Sequence, residues 1–204
     1  DRGNYNELLL KQDLERIADL YFNEGYVRVK VREPVISLVD NDKHMLLLIN
    51  IDEGPQSRMG TVDAQGDLTR DKEELLALVG LNPGDVFSRG QLRKGVEVVT
   101  DVYADQGYAY ANVSPLTRAN DETKLIDMML DIEQGPQVSV ERINLTGNTK
   151  TRDSVIRREM KLVECGRFNA ANLKRSKARL TNLRVFEHVA VVTIAGCDYI
   201  TQQR

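Results

Sequence analysis

Two histidines, two cysteines and a scatter of carboxylates are the residues through which this chain could do metal or covalent chemistry. His44 and His188 are far apart in sequence and no Cys-x-x-Cys occurs, so zinc ligation has no spacing to build on. Neither histidine has a Ser, Cys or Asp in a spacing that would assemble a nucleophilic triad. Gly66 and Gly147-Asn148 punctuate the chain, but no GxGxxG or GxxxxGK surrounds them to cradle a phosphate. Their expected task is a tight strand-to-helix turn at positive φ. Cys165 and Cys197 are too few for a disulfide framework. They form one bond, or stay as two thiols, according to whether the fold brings their Cα atoms within about 7 Å. A dense charge run, Arg157-Arg158-Glu159-Met160-Lys161, completes the set. No residue pattern calls for a cofactor or a metal, and the expectation is a chain without enzymatic activity.

Composition narrows the partners. The 204 residues are 41% apolar and 29% charged, with both signs interspersed and a net charge of −3. That balance gives no general affinity for nucleic acid or an anionic membrane. Aromatics are 5% and Trp is absent, which points to several small cores. No stretch reaches the roughly 18–20 apolar residues of a membrane span. The start, Asp-Arg-Gly-Asn, lacks the basic and apolar regions of a signal peptide and reads as the edge of an excised fragment.

The elements that must carry these residues are repeated. Gly54-Pro55-Gln56 recurs as Gly135-Pro136-Gln137, Gly66 as Gly147 and Phe87 as Phe168, each 81 residues later; Gly25-Tyr26 recurs as Gly107-Tyr108 at 82. Four markers in one order define a unit. The reading divides the chain into 1–55, the C-terminal part of a module; 56–136, a complete module; and 137–204, a module whose last strand is not recognisable. In the middle copy, Met59–Gly66 reads as a strand and Asp71–Val79 as a helix stopped by Gly80, with Thr69 or Asp71 as its cap. A second helix runs from about Ser88 to Asp105, with Leu92, Val96, Val99, Val102 and Tyr103 on one face. Ala109–Pro115 and Leu125–Ile132 read as a hairpin around Asn120-Asp121-Glu122. In the first copy, Asn6–Glu24 reads as the second helix, strictly alternating Val27–Arg32 as a strand, and Met45–Ile51 as its partner. In the third, Val138–Asn148 reads as the first strand, Arg152–Leu162 and Ala170–Leu183 as helices, and His188–Ile194 as a strand.

Tracking directions gives an α+β module with a three-stranded mixed sheet, two helices on one face and strand order first–third–second. The second strand is then an open edge. Arg28, Lys30 and Arg32 lie on that edge in the first copy, before Pro34; Tyr110 and Asn112 lie on it in the second. Basic residues and proline guard an edge against aggregation, and the same edge can receive an extended partner by strand addition. Short junctions at Gly54-Pro55-Gln56 and Gly135-Pro136-Gln137 predict limited hinging.

The third copy carries the most specific motif. Arg142-Ile143-Asn144-Leu145-Thr146-Gly147-Asn148, followed by Val155-Ile156-Arg157-Arg158-Glu159-Met160, resembles the last POTRA module of BamA-like outer-membrane assembly proteins. Asn172–Leu183 and Val185-Phe186-Glu187 look like that module's second helix and next strand; Glu53-Gly54-Pro55 and the Gly-Tyr pairs suit the preceding modules. The resemblance covers nearly the whole chain, as the end of a third module, all of a fourth and most of a fifth. Arg184 stands where the earlier copies have the glycine of Gly-Tyr, and neither cysteine is a family marker.

The resemblance implies modules that project into the periplasm from a sixteen-stranded barrel outside this chain. They receive unfolded outer-membrane protein precursors and dock accessory lipoproteins, without ATP or covalent chemistry. It implies a docking contact at Glu159 with Arg158, against the plain alternative of a solvated helix face with ion pairs of ~0.2–0.5 kcal/mol each. It also places Cys165 and Cys197 where disulfides are permitted. A translocation or two-partner-secretion transporter arm is the rival within the class; the Arg-Arg-Glu-Met motif argues against it. A KH-like nucleic-acid module is the rival outside it. That reading lacks the GxxG loop such domains need, because no two glycines here are separated by two residues.

Overall fold

The computed structural model describes residues 5–39, 44–146 and 151–183. Asn6 opens the first helix: its side chain accepts the backbone N–H of Leu8 and of Leu9, at 2.9 and 3.2 Å. The helix, α1, spans Glu7–Asn23. Gly25, at φ +86°, turns the chain out of it. The Tyr26 N–H then bonds back to the Tyr21 carbonyl, and the Val29 N–H to the Tyr26 carbonyl. That turn consumes the backbone groups that a strand over Val27–Arg32 would need. The expected strand therefore shrinks to β1 (Lys30–Val31). Beyond Pro34 come β2 (Val35–Val39), β3 (His44–Leu48) and β4 (Ile51–Asp52). β1 pairs with β4, and β2 with β3, both antiparallel, with Val35 opposite Leu48 and Val39 opposite His44.

The middle repeat follows the expected plan. β5 (Arg58–Gly66) leads to α2 (Lys72–Val79), with Asp71 at the N-cap position and Gly80 left-handed at the C-cap. α3 (Arg89–Asp105) follows, then β6 (Asn112–Asn120) and β7 (Leu125–Glu133). The sheet order is β5-β7-β6, with β5 parallel to β7, as the crossover argument requires. β6 starts three residues later than expected and continues through Pro115. The same turn as in the first repeat, Ala111 N–H to Tyr108 carbonyl, occupies the positions before it. Alternation sorts β7: Ile126, Met128, Leu130 and Ile132 are at most 3% exposed, against Leu75, Val79 and Met59 at 2% or less. Burying each such side chain contributes ~1.5–3 kcal/mol. This cluster is the largest core among the described residues.

The third repeat has α4 (Asp153–Glu159), shorter than expected, and α5 (Ala170–Asn182). Its first-strand segment, 138–146, forms no ladder among the described residues, only an antiparallel bridge from Ser139 to Arg167. The expected turn at Gly147-Asn148, the segment Val185–Glu187, the strand at 188–194 and Cys197 all lie outside the described residues.

Contacts group the chain into two units: Asp1–Val99 with Val113–Ile132, and Thr100–Asn112 with Glu133–Arg204. α3 thus contributes to both, and the same backbone bonds recur in each. In the first, the Ser57 N–H donates to the Gly25 carbonyl at 2.8 Å and the Phe87 N–H to the Ser57 carbonyl at 3.1 Å. In the second, Val138 donates to Gly107 at 2.9 Å and Phe168 to Val138 at 3.0 Å. The paired glycines thus hold the start of the following repeat.

Candidate functional site

Open sheet edges are the first candidate. Among the described residues β6 bonds only to β7, so its other edge offers free backbone groups. Past Pro115 every residue from Leu116 to Asn120 is exposed. Pro115 has no N–H to give, which suits an edge strand and ends any continuous ladder at that point. Pro34 stands 81 residues earlier, between β1 and β2, so both edges carry the same interruption. Of the residues expected on these edges, Lys30 lies in β1 and Asn112 begins β6. Arg32 lies just past β1, with its N–H bonded to the Asn50 carbonyl at 2.9 Å. Arg28 and Tyr110 are on turns instead, for the reason given above. Arg28 pairs with Asp121, in the turn between β6 and β7.

The β2–β3 hairpin is the largest apolar exposure among the described residues. Val35, Leu38, Leu46 and Leu48 are each 54–57% exposed, and Ile36, Met45 and Leu47 are 39–41% exposed. Ile36, Leu38, Met45 and Leu47 share one face through their pairing, and Val35, Val39, Leu46 and Leu48 share the other. In β7 the residues 81 positions after Met45 and Leu47 are Ile126 and Met128, which are buried. The signal for this patch stood in the sequence as Val35–Val39 and Met45–Leu48.

The outer face of the middle sheet carries a shallow depression of about 640 Å³ lined by Thr61, Asp63, Leu116, Arg118, Asp127 and Met129. Its acids are committed. Asp127 accepts the Thr61 hydroxyl and the Thr61 N–H, each at 2.7 Å, and these bonds hold its carboxyl below the usual range. The register shifts between Met59 and Val62, so Asp127 fills a gap in the ladder. Asp63 is lowered first by Lys72 and then by the Ala64 N–H.

Arg158 and Glu159 end α4. Arg158 is 78% exposed. Glu159 is 23% exposed, with Arg158 at 3.9 Å and Arg179 of α5 at 3.7 Å, so its carboxylate leans on the second helix. Arg157, in the same run, is 46% exposed but makes its bonds within the module. It bonds Glu164 at 3.1 Å and the Ile143 carbonyl at 3.0 Å, while the Ile143 N–H reaches Glu164 at 2.9 Å. The Ile143 N–H and then Arg157 keep Glu164 below its ordinary value.

Cys165 is an exposed free thiol at φ +62°, where the middle copy has Gly84 at φ +90°. Its N–H donates to the Val140 carbonyl, as that of Gly84 does to Met59. Among the described residues no group of His, Cys, Asp and Glu could hold a metal. No helix described is long and apolar enough to cross a membrane.

Comparison with known proteins gives a consistent result. The family profile described as "POTRA: Surface antigen variable number repeat" matches residues 1–54, 58–135 and 138–202. The outer membrane protein assembly factor BamA of Neisseria meningitidis serogroup B is 34% identical over 95% of this chain and 25% of its own length. BamA of Nitratidesulfovibrio vulgaris is 30% identical over 92% of this chain and 24% of its own. The chain thus spans about a quarter of these curated relatives. A crystal structure of POTRA modules 3–5 of Haemophilus influenzae BamA superposes with a TM-score of 0.79 at 26% identity, covering 92% of this chain and 75% of that one.

Proposed function

The chain belongs to the POTRA family, and from that premise we propose that it is a stretch of the periplasmic arm of an outer-membrane β-barrel assembly factor. In this reading the modules work without covalent chemistry. They receive unfolded outer-membrane precursors along open sheet edges and dock accessory lipoproteins through the end of α4. The observation that carries the reading is the β6 edge, bonded on one side only among the described residues and exposed from Leu116 to Asn120. A precursor strand of alternating apolar residues has the backbone groups to pair there.

The energetics fit a transient receiver. Five edge residues offer about two or three backbone bonds, each worth a net ~0.5–1.5 kcal/mol. One edge alone then holds a segment with a Kd on the order of millimolar. The β2 strand of the first repeat offers a second edge, with apolar surface on both faces. Engagement of two edges by one precursor raises the apparent affinity without tighter single contacts.

Arg158 and Glu159 supply the lipoprotein contact in this reading. The exposure of Arg158 and the partial exposure of Glu159 leave both within reach of a partner. Photo-crosslinking tests the function as a whole. A photoreactive residue at Thr117 or Ser37 should capture an unfolded barrel precursor, and one at Arg158 an accessory lipoprotein. Capture of precursor from α1 positions such as Lys11, but not from the edges, would refute the edge reading.

A further inference from the structure

In the first two repeats the second helix ends on a polar side chain that reaches the start of the next repeat's second helix. In the first unit, the Gly90 N–H in the first turn of α3 donates to Asn23 Oδ1 at 2.7 Å, and Asn23 is the last residue of α1. In the second unit, the Ala171 N–H in the first turn of α5 donates to Asp105 Oδ1 at 2.6 Å, and Asp105 is the last residue of α3. Asn23 and Asp105 are 82 residues apart, and Gly90 and Ala171 are 81 apart, so the bond is the same device used twice.

The first N–H groups of a helix have no partner inside it, and a side chain of the preceding few residues ordinarily supplies one. α1 is capped that way: Asn6 alone takes both Leu8 and Leu9. α5 has its own cap as well, with Asn169 accepting the Asn172 N–H at 2.7 Å. The N–H one residue nearer the start is left to the neighbouring repeat. Asn169 also donates to the Asp105 carbonyl at 2.8 Å, so the two helix ends exchange bonds. Further contacts flank each cap. The Arg89 guanidinium lies 5.1 Å over the Phe22 ring in the first unit, and Lys174 meets Asp101 at 2.6 Å in the second. A second recurring pair, Gln56 to the Glu24 carbonyl at 2.8 Å and Gln137 to the Gln106 carbonyl at 3.3 Å, holds the connecting segment.

We propose that Asn23 and Asp105 are positioning residues that lock successive modules by capping the next module's second helix in trans. The C-terminal end of one helix, with its partial negative charge, meets the N-terminal end of the next, with its partial positive charge, and the side chain carries the join. A displacement of one module then loads the cap of the next. Asp105 adds a full charge at its helix end and Asn23 does not. The lock does not depend on what the modules bind.

The test is made on the whole chain by amide exchange and by spin-label distances. Asn23→Ala should speed exchange at Gly90, and Asp105→Ala at Ala171, each by roughly five- to tenfold, the effect of losing a cap. Each should broaden the distance distribution between labels on the two modules it joins and leave the other pair narrow. Asp105→Asn keeps an acceptor oxygen and should restore both readouts, which separates a lost bond from a damaged fold. If both alanine variants keep wild-type exchange and narrow distributions, or Asp105→Asn behaves like Asp105→Ala in a folded chain, the trans cap does not lock the modules.

Discussion

Gly95 tests how tightly the middle module is packed, because two opposing effects meet there. It lies inside α3, where replacing glycine by alanine ordinarily stabilises a helix by ~1 kcal/mol. A Cβ on Gly95 would stand 2.6 Å from the Val79 Cα and 2.8 Å from the Val79 carbonyl oxygen and Cγ1. Ordinary contact between carbon atoms needs about 3.5–4.0 Å, so α2 must retreat by roughly 1 Å. Two of the three obstructing atoms, the Val79 Cα and carbonyl oxygen, are backbone and cannot swing aside. Val79 and Leu75 are 2% and 0% exposed, and a gap of that width forfeits a quarter to a half of the dispersion contacts along the seam. Overpacking of this kind costs ~1–3 kcal/mol, which outweighs the propensity gain. Gly95→Ala should therefore lower the stability of the middle module by up to ~2 kcal/mol net, the overpacking cost less the propensity gain. The assay is urea unfolding followed by circular dichroism, with amide exchange along α2 to localise the loss. The third repeat shows why the residue differs between copies. Ser176, at the same register, is fully buried, accepts the Lys161 N–H at 2.8 Å and donates to the Asn172 carbonyl at 2.7 Å. A Gly95→Ala chain that is more stable than the parent by ~1 kcal/mol would refute the close approach and leave only helix propensity.

Other consequences are simpler. Cys165→Gly should stabilise the third module by up to ~1 kcal/mol in thermal unfolding, because it relieves a left-handed conformation costing ~1–2 kcal/mol at the expense of a smaller glycine entropy term. Glu164 has a folded pKa below its ordinary 4.5, so its contribution is complete above that value and is lost as pH falls from about 4.5 through the folded pKa. The Ile143 amide resonance should move through that acid window in the parent and stay fixed in Glu164→Gln. Glu159→Lys should abolish capture of an accessory lipoprotein while costing at most ~1 kcal/mol of stability, since its ion pairs are surface pairs at 3.7 and 3.9 Å.

The repeat was legible because its markers sit where backbone geometry leaves no choice. Gly25 and Gly107 turn out of helices at φ +86° and +97° and hold the next repeat's first strand through their carbonyls, and Gly66 sits at φ +96°. The strand order followed from chain direction alone. Alternation misled at Val27–Arg32. A half-buried turn after Gly-Tyr gives the same in–out pattern as a strand, and only the Val29-to-Tyr26 bond distinguishes them. The Asn23 and Asp105 caps were hidden for another reason: their partners are 67 and 66 residues away, beyond any local motif. The charge run at 157–161 looked uniform in sequence. The fold divides it, with Arg157 bound to Glu164 and Ile143 and Arg158 left exposed.

The central claim, that an open edge receives an extended precursor, is tested most directly by interstrand nuclear Overhauser contacts. The isotope-labelled chain would be saturated with an unlabelled barrel-strand peptide of alternating apolar residues. The account predicts peptide-to-chain backbone contacts at Leu116–Asn120, with slowed amide exchange along β6 and no contacts to α2 or α3. Backbone contacts confined to the helices, or side-chain contacts with no protection of β6, would contradict it.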